Sequence, residues 1–85
     1  MASYRVLIKQ SAVKELERLP LKERRRVASR LRTLASNARP AGCEKLSGQE
    51  KFRLRQGDYR IIYSVDDAES TVTVVKIGHR RDVYR

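Results

Sequence analysis

Lysine and arginine occupy every second position of Lys51-Phe52-Arg53-Leu54-Arg55, and a fourth cation, Arg60, follows the Gln56-Gly57-Asp58 turn signal. Side chains of an extended segment alternate between two faces, so Lys51, Arg53 and Arg55 share one face and Arg60 can join them across the turn. Like charges facing each other across strands cost stability unless an anion neutralises them. Such a set can grip a phosphate and stabilise charge that develops on it. A solvated sheet face is the ordinary reading of any one of these cations, because edge strands use lysine against aggregation. Taken together, with no acids interleaved in the hairpin, they favour anion binding.

The C-terminal run Gly78-His79-Arg80-Arg81-Asp82-Val83-Tyr84-Arg85 adds different groups. His79 is the only histidine, the side chain type that exchanges protons near neutral pH. Arg80 and Arg81 can hold a phosphate. Tyr84 offers a ring for base stacking and a hydroxyl for hydrogen bonding. Singly, an exposed idle histidine and a packed tyrosine are the commoner states. Lys22-Glu23-Arg24-Arg25-Arg26, with Arg30 and Arg32, forms a second basic patch. It reads as a solvated helix face or as non-specific phosphate contact, which carries no sequence information. One histidine and one cysteine far apart make no zinc signature, so no metal is expected. No Ser-His-Asp set, Gly-rich phosphate loop or paired carboxylates stand out, and no cofactor is expected.

The elements that must position these groups follow from periodicity. Tyr4 to Lys9 alternates as a half-buried strand. Ser11 is the expected cap of a helix through about Leu19, with Val13, Leu16 and Leu19 on one face. Pro20 marks a break, and a second helix is expected from about Leu21 to Ser36, with Val27, Leu31 and Leu34 inward. The two form an αα-hairpin. Asn37 to Gly42 is a loop by composition. Period two then returns: strands are expected at Gln49 to Arg55, Tyr59 to Val65 and Thr71 to about Ile77, joined by tight turns as a meander. The expected fold class is α+β with the order β-α-α-β-β-β. It is a twisted antiparallel sheet with the N-terminal αα-hairpin on one face, over residues 1–85 as a single domain.

Composition bounds the partners. The 85 residues carry a net charge of +10, with 20 Lys and Arg against 10 Asp and Glu. That points to a polyanion or an acidic protein. Residues 1–45 hold 12 basic and 4 acidic side chains, and residues 46–85 hold 8 and 6, so most of the excess lies on the helices. Membrane binding ranks last, since no apolar run approaches a span and the basic helix lacks aromatic anchors. No signal-peptide pattern is visible at the N-terminus, and the lone Cys43 fits a reducing compartment, so a cytoplasmic location is expected.

The segments Lys45-Leu46-Ser47-Gly48, Phe52-Arg53-Leu54-Arg55 and Gly57-Asp58-Tyr59-Arg60-Ile61-Ile62-Tyr63, and the ending Gly78-His79-Arg80-Arg81-Asp82-Val83-Tyr84, come in this order on this element pattern. The whole chain thereby resembles the RelE/ParE toxin superfamily of type II toxin–antitoxin systems. The resemblance implies a RelE-like fold and one of two activities. RelE-type members are endoribonucleases, mRNA interferases that cut messages in the ribosomal A site and inhibit translation under stress. ParE-type members inhibit DNA gyrase. Both are neutralised by an antitoxin that wraps the toxin, here expected to be acidic and to give a heterotetramer or larger complex. Carried over, Lys51, Arg53, Arg60, Arg80 and Tyr84 match the RelE-type site, with His79 adjacent. Arg53 stands where lysine is common, and arginine holds its proton too tightly to act as a base.

The leading expectation is metal-independent cleavage by 2′-hydroxyl attack on the phosphodiester, giving a 2′,3′-cyclic phosphate and a 5′-hydroxyl. Arg53, Arg60 and Arg80 would bind the phosphate and stabilise the transition state, Lys51 or His79 would transfer protons, and Tyr84 would orient the substrate. Arg24, Arg25, Arg26, Arg55 and Arg81 are candidate contacts to message or ribosomal RNA. The alternatives are a gyrase inhibitor on the same fold and a non-catalytic RNA-binding module.

Overall fold

The computed structural model describes residues 3–46, 48 and 50–83. The elements are β1 (Arg5–Ile8), α1 (Gln10–Glu17), α2 (Leu21–Thr33), β2 (Cys43–Lys45), β3 (Lys51–Gln56), β4 (Tyr59–Asp66) and β5 (Thr71–His79). The strands form one five-stranded sheet in the order β1-β5-β4-β3-β2, and the α+β class holds. Strands β3, β4 and β5 form the antiparallel meander that the alternation requires.

Two features depart from the expected sheet. Cys43–Lys45 adds an edge strand antiparallel to β3, too short and too charged to show a period. β1 runs parallel to β5, with Arg5 opposite Thr71, so the sheet is mixed rather than wholly antiparallel. The helices carry the chain from one edge of the sheet to the other. The meander then walks back strand by strand, and its reversals leave β5 pointing the same way as β1.

The helix pair starts differently from the expected cap. Lys9, not Ser11, holds the N-cap position of α1, and no side chain caps it. The Val13 N–H closes the first turn on the Lys9 carbonyl at 2.9 Å. Pro20 is the N-cap of α2, and its carbonyl accepts the Arg24 N–H at 2.8 Å. Proline suits this position because its fixed φ costs nothing there and it has no N–H to leave unpaired. α2 stops at Thr33, and the chain tightens beyond it through i→i+3 bonds such as Leu34 N–H to the Leu31 carbonyl at 3.2 Å.

The core lies between the helices and one sheet face. Ala12, Val27, Leu31 and Leu34 pack with Leu54, Ile61, Tyr63, Val72, Val74 and Ile77. The buried Tyr63 hydroxyl donates to the Ala38 carbonyl at 2.9 Å, which pins the loop after α2, and burial pushes its pKa up. Arg39 braces the same loop: it pairs with Asp67 at 2.9 Å and lies 5.3 Å over the Phe52 ring. The Tyr4 hydroxyl also donates to Asp67, at 2.7 Å. These contacts leave the second sheet face uncovered by helix.

Candidate active site

Register decides what the open face carries. Arg55 stands opposite Arg60, and Arg60 opposite Gly78. Arg53 stands opposite Ile62, and Lys51 opposite Ser64. The neighbours Leu54, Ile61 and Tyr63 are fully buried in the core, so these residues project to the other side. The hairpin is closed by a two-residue turn at Gly57-Asp58, with Gly57 at φ 59°, a conformation that glycine takes without steric cost. The four hairpin cations are therefore brought to one face, as their spacing implies. They are not one cluster. Ser64 lies four residues from Arg60 along β4, so Lys51 and Arg60 sit about 13 Å apart along the strands at ~3.3 Å per residue.

The three arginines of the hairpin are held, and an acid is interleaved after all. Glu44 on β2 faces Arg53 in the register. Its carboxylate accepts from Arg53 Nη2 at 2.7 Å and lies 3.4 Å from Arg55 Nη2. Only 22% of the Arg53 side chain is exposed, so this pair fixes its direction. Arg60 avoids Arg55 differently: its Nη1 donates to the carbonyls of Gly57 at 2.9 Å and Tyr59 at 2.8 Å. Neutral carbonyls orient the guanidinium without cancelling its charge. Nothing in the sequence pattern singles out Glu44, because the three residues of β2 are too few to show a period.

The C-terminal segment splits between the two sides of the sheet. His79 pairs with Tyr59 in the register, and their rings meet edge to face at 5.6 Å. Tyr59 packs against the main core, so His79 lies on the helix side rather than with the hairpin cations. There it lines a cleft of about 360 Å³ with Tyr59, Gly57, Asp58, Glu23 and Arg26. Its Nδ1 accepts the Arg81 N–H at 3.2 Å. In the neutral ring this places the proton on Nε2.

Arg80 extends the β4–β5 pairing. Its N–H donates to the Asp58 carbonyl at 2.8 Å, and its Nε lies 3.7 Å from the Asp58 carboxylate. The chain then turns, with the Asp82 and Val83 N–H groups both donating to the His79 carbonyl. A Cβ at Gly78 would meet Val83 at 3.7 Å, and that Cβ would point away from the core residue Ile77. The turn thus folds onto the open face. Val83 at 3% exposure and Ile62 at 6% are buried apolar residues of this face, outside the main core. Tyr84 lies outside the described residues.

The basic helix stands apart from this face. Arg25 and Arg26 are exposed on α2, on the opposite side of the sheet, and Arg24 is half-buried. Arg26 pairs with Glu23 at 3.8 Å. Among the described residues no group of three His, Cys, Asp or Glu could hold a metal ion, and no helix is long and apolar enough to cross a membrane.

Residues 6–84 match the family described as the ParE toxin of the type II toxin–antitoxin system, parDE. The chain belongs to the RelE/ParE toxin superfamily. Toxin RelG of Mycobacterium tuberculosis is 44% identical over 34 residues, a match that spans 40% of this toxin and 39% of RelG. The toxin also superposes on the archaeal RelE–RelB complex from Pyrococcus horikoshii OT3 with a TM-score of 0.84 and 32% identity, covering 95% of this chain and 99% of that one. The RelBE2 toxin–antitoxin complex from Mycobacterium tuberculosis gives 0.81 and 26%, covering 92% and 99%. This toxin is therefore of the type II class, and both of these solved neighbours are complexes of a toxin with its antitoxin.

Proposed function

We propose that this toxin is a ribosome-dependent endoribonuclease that cleaves messenger RNA in the A site. The observation that carries the reading is the open face itself: Arg53 and Arg60 held in fixed directions by Glu44 and by backbone carbonyls, with Arg80 at the end of the same hairpin. Preorganised cations of this kind stabilise a phosphorane without reorganising during the reaction. Lys51 and His79 are the candidates for proton transfer. Lys51 shares the face with Arg53, whereas His79 would have to act around the sheet end, so Lys51 is the better base. Tyr84 would orient the substrate. Among the described residues the face carries one carboxylate, Glu44, already engaged by Arg53 and Arg55, so the ribosome would contribute by positioning the message.

Arg24, Arg25, Arg26, Arg55 and Arg81 are proposed contacts to message or ribosomal RNA. The antitoxin is proposed to be acidic and to form a heterotetramer or larger assembly. A cytoplasmic location follows from the ribosomal target. The family match keeps a second reading in view, a ParE-type gyrase inhibitor, which uses the fold without cleavage.

The test is paired. Primer extension on messages from cells expressing the toxin should show new 5′ ends within translated codons, and Arg80→Ala should abolish them. Blocked gyrase supercoiling by purified toxin, with no new message ends, would establish the second reading instead.

A further inference from the structure

The cleft of about 360 Å³ beside His79 lies on the helix side of the sheet, but it shares a wall with the cationic face. That wall is the Gly57-Asp58 turn. Gly57 lines the cleft, and its carbonyl accepts from Arg60 Nη1 at 2.9 Å. Asp58 lines it too; its carbonyl accepts the Arg80 N–H at 2.8 Å, and its carboxylate lies 3.7 Å from Arg80 Nε. The hairpin ends at this turn, so an RNA chain can pass around it with a phosphate at the arginines and the attached base in the cleft. The volume falls within the ordinary range of a small-molecule site, roughly 300–1,000 Å³.

The lining decides which base fits. Tyr59 and His79 give two aromatic rings, set edge to face at 5.6 Å, and unstacked bases pack on such rings. His79 accepts the Arg81 N–H at Nδ1, so its Nε2 is a donor. Glu23, in the first turn of α2, supplies the acceptor. An ionised carboxylate has two oxygens and about four lone-pair sites. Arg26 Nη1 stands 3.8 Å from Glu23 Oε1, longer than a hydrogen bond, so this ion pair consumes none of those sites. A carboxylate next to a single donor matches a base edge that reads donor, donor, acceptor. Guanine alone has it, with N2–H and N1–H for the carboxylate and O6 for the donor. Adenine and cytosine offer one amino group on that edge, and uracil one imide N–H.

We propose that the cleft is a guanine-binding site, in which Glu23 accepts from the N1–H and N2–H groups, His79 Nε2 donates to O6, and the Tyr59 ring packs beside the base. That the guanine belongs to RNA rests on the nuclease reading above; the cleft and its donor–acceptor pattern stand without it. The site puts base recognition on the helix side and phosphate binding on the open face, joined at the hairpin turn.

The test titrates the full chain with the 5′-monophosphates of guanosine, adenosine, cytidine and uridine, and follows the imidazole C–H signals by NMR. His79 is the only histidine, so these signals report on the cleft. Guanosine monophosphate should shift them and bind about tenfold more tightly than the other three, the worth of an added hydrogen bond to a charged group. Glu23→Gln and Glu23→Ala should bring the four affinities together, and Glu17→Gln, exposed on α1, should keep the preference. Arg60→Ala should weaken all four by one factor. Two removal variants at Glu23 guard against one that fails to fold. Equal affinities for the four nucleotides, unmoved His79 signals, or a guanine preference that survives in a folded Glu23 variant overturns the site. Affinities that ignore Arg60→Ala overturn its junction with the phosphate. None of these nucleotides has a phosphodiester to cleave, so the guanine site and the nuclease reading can fail independently.

Discussion

The open sheet face and the exposed side of α2 are both rich in arginine, but they differ in what holds the side chains. On the sheet, strand register sets the spacing, and Arg53 and Arg60 are fixed by bonds of 2.7–2.9 Å. On α2, Arg25 and Arg26 stand in solvent, and Arg26 has a loose partner in Glu23 at 3.8 Å. Charge is denser on the helices, yet order is greater on the hairpin. Electrostatic stabilisation depends on dipoles and charges that are already in place, so the braced face suits chemistry and the solvent-exposed one suits non-specific contact.

The sharpest way to break this contrast is to exchange losses between the two faces. Arg53→Ala should slow single-turnover cleavage on ribosomes by about 100- to 1,000-fold, the usual cost of one preorganised donor. The double change Arg25→Ala with Arg26→Ala should leave the saturated rate near wild type and lower the salt slope of RNA binding by about 1.4. Equal rate losses from both would erase the distinction.

Lys51 and His79 sharpen it further. Lys51→Ala should cost about 100-fold in the saturated rate, as loss of a general base does. His79→Ala should cost much less, because its ring lies on the helix side against Tyr59. The reverse order, with a pH–rate limb removed by His79→Ala, would move the chemistry around the sheet end.

These residues also show how much of the molecule was legible in the sequence. The strict alternation of Lys51 to Arg55 and the Gly57-Asp58 turn gave the hairpin and its cationic face, because a period of two has one geometric meaning. The helices were legible from Val27, Leu31 and Leu34. The register of Lys76 was not: Tyr63 pairs with Val74 but Ile62 with Lys76, and the β-bulge this makes at Val75 leaves no mark in a run of valines. Glu44 was not, because three residues cannot display a period. The place of His79 in the chain suggests a neighbour of the cations, whereas alternation of Gly78, His79 and Arg80 at the strand end sets it on the other side. The parallel pairing of β1 with β5 is a long-range choice between distant segments, and no local signal encodes it.

Smaller effects probe the supports. Glu44→Gln removes the charge that restrains Arg53 and should slow cleavage by about fivefold at most, the worth of a part-exposed ion pair. A faster enzyme would mean that Glu44 competes with the phosphate. Away from the face, the Arg39 guanidinium, then the Tyr4 hydroxyl, hold the Asp67 carboxyl below its usual pKa. A lowered folded-state pKa contributes stability above the unfolded value and loses it as pH falls through the folded value. Asp67→Asn should therefore lower Tm slightly at neutral pH, and thermal melts should converge with wild type in acid below the carboxylate range.

The central claim is that the open face cleaves message held by the ribosome. The direct measurement is incubation of the purified toxin with programmed ribosomes carrying a defined message, followed by analysis of the new ends. A 2′,3′-cyclic phosphate and a 5′-hydroxyl within the A-site codon, lost in Arg53→Ala and Arg80→Ala, is the predicted result. An intact message on ribosomes that bind the toxin would contradict it.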